Sequence, residues 1–130
     1  MNILCGDVDM VPSYLEDFRK TFDSGDANRL AEHFAEDAVF ECGGGQLVTG
    51  RYAIRYALEN FLIHGLKLRF IVLRAVEAGG VSCVEADWTL RGVNKMNQLI
   101  NLAGRAFYIF AQAPEGGWKI KIYNPFLQRD

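Results

Sequence analysis

Two carboxylates two residues apart, Glu85 and Asp87, are the side chains in this sequence best suited to acid–base chemistry. Residues 81–91 alternate as a β-strand does, so the pair shares one face with Cys83 and Thr89. Val84, Ala86, Trp88 and Leu90 share the other face. Carboxylates are seldom buried without a partner, because desolvation disfavours the charged form. On an enclosed face, Asp87, with Glu85 beside it, could therefore take and return a proton as general base or acid. The same pair could instead meet Arg19, Arg105 or Lys121 in an ion pair, or sit at a wet rim.

Other groups could assist. Tyr14, Tyr52, Tyr56, Tyr108 and Tyr123 offer phenolic donors, and each is equally suited to packing. His64 closes a helical stretch, where it could titrate or cap the last carbonyls. His33 stands between Glu32 and Glu36 and is expected to face solvent. Cys5, Cys42 and Cys83 are odd in number and widely spaced, which fits neither a disulfide framework nor a zinc site. No histidine lies near Cys42 in the sequence to activate it, so a small buried thiol is expected there. Gly43-Gly44-Gly45 lacks the lysine of a phosphate loop and reads as a turn. No metal or organic cofactor is implied.

The elements that must position these groups follow from periodicity. Pro12 suits a helix start, and Leu15, Phe18 and Phe22 recur at helical spacing until Ser24-Gly25. Asp26 is a suitable N-cap for a second helix with Ala27, Leu30, Ala31 and Phe34 on one face. Residues 38–42 read as a short strand, and a third helix beginning near Gly50 carries Ile54, Leu58, Phe61 and Leu62 on one stripe. The period then falls to 2 in stretches 66–78, 81–91, 99–113 and 118–126, with turns at Gly79-Gly80 and from Pro114 to Gly117. Helices first and an antiparallel meander after them make an α+β domain, with helices on one face of a curved sheet.

Bulk properties narrow the class. The chain has 130 residues, half of them apolar, enough for one domain over 11–130 behind a tail over 1–10. A net charge of −2, with no basic run longer than two residues, gives no footprint for nucleic acid or a membrane surface. The first ten residues lack a basic start and an apolar run, so no signal peptide is read there, and a cytoplasmic location is expected.

Ser24-Gly25-Asp26, the run Phe34-Ala35-Glu36-Asp37-Ala38-Val39-Phe40, and Thr49-Gly50-Arg51 resemble the start of a SnoaL-like or ketosteroid-isomerase-like domain of the nuclear transport factor 2-like superfamily. Trp88-Thr89-Leu90-Arg91-Gly92 and Gly117-Trp118-Lys119-Ile120 fit the same pattern, so the likeness spans about 12–127. The resemblance implies a cystatin-like cone, three helices on a curved antiparallel sheet enclosing a pocket. It assigns Cys83, Glu85, Asp87 and Thr89 to the concave side, joined by Phe40, Cys42, Gly104, Ala106, Tyr108, Tyr123 and Pro125. Such folds host isomerases, cyclases, dehydratases, hydrolases and non-catalytic binders. The ketosteroid isomerase triad would fall on Cys42, Phe18 and Ala106, none of which can do its work, and Tyr14 lies one turn before Phe18. The limonene-epoxide hydrolase set would fall on Asp87, Glu85, Pro125, Phe40 and Cys42, which keeps one group of five.

The resemblance therefore implies a cofactor-independent acid–base enzyme acting on a small apolar metabolite, with Asp87 and Glu85 catalytic. Tyr14, Phe18, Phe40, Cys42, His64, Ala106, Tyr108 and Tyr123 would form the binding wall. The alternative is a non-catalytic ligand-binding or dimeric module of the same fold. A homodimer is expected through the outer sheet face, built from Val84, Ala86, Trp88, Leu90, Phe107, Ile109 and Ala111, since such a patch would not stay exposed.

Overall fold

A computed structural model describes residues 11–127. The expected tail over 1–10, with Cys5, lies outside the described residues. Helix α1 (Ser13–Ser24) opens after Pro12 and buries Leu15, Phe18, Thr21 and Phe22 along one side. It ends where Gly25 turns left-handed at φ 79° and returns its N–H to the Phe22 carbonyl, a conformation that favours glycine. The Asp26 carboxylate caps α2 (Ala27–Ala31) by accepting from the Arg29 N–H at 3.1 Å.

Helix α2 is shorter than its apolar spacing suggests. Phe34, expected on the helix face, instead begins strand β1 (Phe34–Glu41). Two contacts draw the chain into the sheet here. The Ile120 N–H donates to the His33 carbonyl at 2.7 Å, and the Arg51 guanidinium donates to the Phe34 carbonyl from Nε and Nη2 at 3.0 and 2.8 Å. A short strand β2 (Leu47–Thr49) folds back on β1, and α3 (Arg51–Leu62) follows with Ile54, Leu58 and Leu62 inward.

Strands β3 (Lys67–Ala78), β4 (Val81–Val93), β5 (Leu99–Gln112) and β6 (Trp118–Asn124) then form the meander. Gly79 and Gly80, both at positive φ (58° and 79°), give the first hairpin a turn whose twist matches its strands. The sheet order is β2-β1-β6-β5-β4-β3, and the sheet is curved and unclosed. All neighbours are antiparallel except β1 and β6, which run parallel. The core lies between helices and sheet. Phe18, Leu30, Phe34, Leu58 and Ala106 are buried in it, and Phe61 and Phe70 pack at its edge.

The side-chain parity of β4 is the reverse of the expected one. Ser82, Val84, Ala86, Trp88 and Leu90 are buried beneath the helices, whereas Cys83, Glu85, Asp87 and Thr89 are half-buried on the outer face. The physical reason is direct. Four apolar side chains gain by leaving water, and two carboxylates would lose by it.

Candidate functional site

An apolar cavity of about 100 Å³ lies between α1, α3 and the inner face of the sheet. Phe22 comes from α1, Ala57, Leu58 and Phe61 from α3, and Phe40 and Cys42 from β1 and its end. Leu68, Trp88, Leu90 and Tyr123 come from β3, β4 and β6, and Pro125 and Phe126 cover the remaining side.

Trp88 holds this wall in place. Its indole Nε1 donates to the Pro125 carbonyl at 2.7 Å, which pins the segment after β6, and Phe126 meets the indole edge-on at 5.8 Å. The indole rests flat where β5 has no side chain, since a Cβ on Gly104 would stand 2.9 Å from Trp88 Cζ2. Behind the cavity the aromatic rings form a stack. Phe40 lies on Tyr123 at 5.3 Å, Tyr123 on Tyr108 at 4.8 Å, and Tyr108 on Phe110 at 5.7 Å. Phe18 meets both tyrosines edge-on at 5.8 Å, the arrangement that opposed ring quadrupoles favour. Burial pushes the Tyr123 phenol up to about 12 and the Tyr108 phenol well above its ordinary value. Both are neutral donors at physiological pH.

Of the site residues expected from sequence, Phe40, Cys42 and Tyr123 line this cavity. Tyr108 lies directly behind Tyr123, and Phe18 and Ala106 are buried deeper. Tyr14 is elsewhere: its hydroxyl bonds Ser82 Oγ at 2.6 Å and its ring stacks on Trp118. His64 stands in the turn after α3 with Nδ1 buried and unpartnered, and it does not reach the wall. His33 also departs from expectation. Rather than facing solvent it is half-buried, with Nε2 2.9 Å from Thr21 Oγ1 and its ring edge-on to Phe18.

Asp87 and Glu85 lie on the opposite side of the sheet from the cavity. Arg105 grips Asp87 with two bonds, Nε to Oδ1 at 2.8 Å and Nη2 to Oδ2 at 3.3 Å, and the Asp87 side chain is 43 % exposed. Glu85 stands across from Arg74 on one side and Phe107 on the other. A hollow of about 570 Å³ includes Asp87 and Arg105, larger than the apolar cavity but shallow, with Ile71 67 % exposed at its edge. The ion pair foreseen as the alternative for Asp87 is therefore the arrangement observed. Sequence reasoning missed Leu68, Phe61, Trp88 and Phe126 as wall residues. The apolar alternation of 84, 86, 88 and 90 was the available signal.

The Cys42 thiol makes a weak contact to the Gln46 carbonyl at 3.6 Å. Among the described residues no three His, Cys, Asp or Glu side chains converge as metal ligands, and no helix is long and apolar enough to cross a membrane.

The family model for SnoaL-like domains matches residues 15–116. No curated protein matches the chain by sequence. Solved structures share the fold at low identity. A ketosteroid isomerase-like protein from Erwinia carotovora atroseptica superposes with a TM-score of 0.76 at 13 % identity, over 91 % of this chain and 93 % of that one. An NTF2-like protein with a cystatin-like fold from Novosphingobium aromaticivorans gives 0.70 at 18 % identity, over 95 % and 83 %. SalBIII, described as an epoxide hydrolase/cyclase-like enzyme in pyran ring formation in the polyether salinomycin, gives 0.64 at 20 % identity, over 88 % and 87 %.

Proposed function

This chain belongs to the SnoaL-like domain family, and from that premise we propose that it binds one small, largely apolar molecule in the cavity beneath α3. The observation that carries this reading is the composition of the wall. It contains aliphatic and aromatic side chains, one thiol, one indole and one phenol, and no carboxylate or imidazole. Such a wall rewards burial of an apolar ligand and offers no base for proton transfer near neutrality. Asp87 and Glu85 act in this reading as surface charges. The volume suits a small ligand, on the scale of a benzene ring of about six heavy atoms.

The reading as an acid–base isomerase or cyclase draws support from the names of two structural neighbours, which speak for the fold alone at such identities. It requires a titratable group against the ligand, and Asp87 is on the far side of the sheet.

Thermal-shift measurement against small cyclic hydrocarbons, ketones and alcohols tests the binding reading. Bound ligand raises the melting temperature by mass action. Ala57→Trp, which fills the cavity from α3, should abolish the rise, and Asp87→Asn should leave it intact. A folded Ala57→Trp protein that responds as the parent does would place the ligand elsewhere and end this reading.

We propose also that two copies pair through the outer face of the sheet. The patch differs from the expected one, because Val84, Ala86, Trp88 and Leu90 are buried within the protomer. Phe107 and Ile109 remain on the outer face, with Ile71 at 67 % and Ile122 at 39 % exposure beside them. Ile122, Ile109 and Cys83 follow one another across three strands, a contiguous apolar row that a twofold partner would cover. Light scattering at micromolar concentration should give a dimer and Ile109→Lys a monomer, whereas a monomeric parent protein would refute the pairing.

A further inference from the structure

Leu68, Leu90 and Leu102 stand side by side across β3, β4 and β5 as direct cross-strand partners, so all three share the inner face of the sheet. The first two are buried and line the cavity. Leu102 continues their row one strand further and is 44 % exposed. The length of β6 explains this. It pairs with β5 only over 107–112, so among the described residues no strand flanks β5 at Leu102. Further along the same face of β5, Ala106, Tyr108 and Phe110 are buried. The inner face is therefore sealed at one end and open at the other.

The segment after β6 runs beside β5 as far as Arg105, whose carbonyl accepts from the Leu127 N–H at 2.8 Å. It sets Phe126 against the Trp88 indole, where the ring lines the cavity and is still 45 % exposed. Two large apolar groups thus stand half in water at the open end, and one extends the row of leucines that forms the wall. The step from Leu90 to Leu102 is one strand spacing, about 4.8 Å, or about four methylene groups of an extended chain. None of the side chains lining the cavity is charged, so a charged group drawn inside would be desolvated without a partner.

We infer that the molecule bound here is longer than the cavity: an apolar end of about six heavy atoms fills the space beneath α3, and the chain continues over Leu102 and Phe126 to a polar head in water. This inference rests on the cavity being the binding site. It adds the class of ligand, an extended amphiphile, and its direction of entry, apolar end first. Leu102, outside the cavity, reads the length of the chain.

The 1-alkanols from butanol to nonanol, titrated by NMR into the full chain, test this. Affinity should rise about two- to fourfold with each methylene and keep rising beyond six carbons, because the added groups still leave water. Octanoate should bind within about tenfold of 1-octanol, since its head stays outside. Neither measurement depends on a variant. In Leu102→Ser the rise should stop near hexanol, whereas Leu99→Ser, an exposed position on the outer face of the same strand, should track the parent protein. An affinity that levels off at six carbons in the parent protein would overturn the inference and leave binding in the cavity standing. A Leu102→Ser protein that keeps the parent's dependence on length, or that loses only self-association, would equally overturn it, and loss of octanoate binding would place the head inside. Failure of every alkanol to bind would overturn the cavity reading as well.

Discussion

Strand β4 carries two sets of side chains at the same spacing, and the protein treats them oppositely. Ser82, Val84, Ala86, Trp88 and Leu90 go inside, while Cys83, Glu85, Asp87 and Thr89 stay at the surface. On chemical grounds the acidic set is the more suggestive one, yet it is Trp88 and Leu90 of the inward set that reach the cavity wall. The difference teaches that a strand's orientation is set by what its faces cost to bury. An inward Asp87 would need a partner in a site lined by rings and aliphatic chains, whereas outside it has Arg105 and water.

The sharpest way to break this comparison is to give the inner face what the outer face tolerates. Ala86 is 0 % exposed and Ala86→Asp would place an unpaired charge under the helices. That change should cost about 3–5 kcal/mol. Its neighbour Asp87→Asn, one residue away, gives up a partly exposed ion pair to Arg105 and should cost no more than about 1 kcal/mol. Urea unfolding of the pair checks both, and comparable losses would mean that the two faces are not distinct. Phe34→Ala, at the buried start of β1, should follow with about 3–5 kcal/mol.

A smaller effect sharpens the comparison at the cavity itself. Gly104→Ala adds a methyl 2.9 Å from Trp88 Cζ2, so the indole must shift against Phe126 and Pro125. A loss of about 1–3 kcal/mol is expected, with a changed tryptophan emission and weaker binding of small apolar probes. Unaltered emission and affinity would show that Trp88 does not hold the wall.

The architecture was open to a reader of the sequence because periodicity carries it. Leu15, Phe18 and Phe22, the Gly79-Gly80 turn and the alternating strands each state their element locally. Two features were not legible. Alternation says that Asp87 and Trp88 face opposite ways but not which of them faces in, and a shift of one residue in matching a distant family reverses every assignment on a strand. The start of β1 was hidden for another reason. Phe34 extends the apolar spacing of α2, and what pulls it into the sheet is Arg51 and Ile120, partners distant in sequence. At the cavity, Phe40 of β1 and Tyr123 of β6 were placed by the family resemblance, and both line the wall. The contribution of Trp88 required the face of β4, and that of Phe126 required the fold.

The smallest expected effect concerns the polar group that has gone partway inside. His33 packs edge-on against Phe18 and has Nε2 at 2.9 Å from Thr21 Oγ1, so α1 and the turn before β1 meet through it. Burial lowers its pKa from the ordinary imidazole value near 6.5, and Lys119 and Arg29 press in the same direction, against the weaker pull of Asp17 and Glu32. The folded chain therefore binds fewer protons at this site than the unfolded chain between the two pKa values. Stability rises with pH across that interval. The contribution is complete above about 6.5 and is lost as pH falls through the folded value, the opposite of a histidine held by a carboxylate. His33→Gln retains a group able to bond Thr21 and cannot be protonated in this range. Between pH 7 and pH 5 the parent protein should lose melting temperature more steeply than the His33→Gln variant. Parallel curves would show that His33 is as free to ionise as a residue on the outer face, and that the half-buried ring costs the fold nothing when charged.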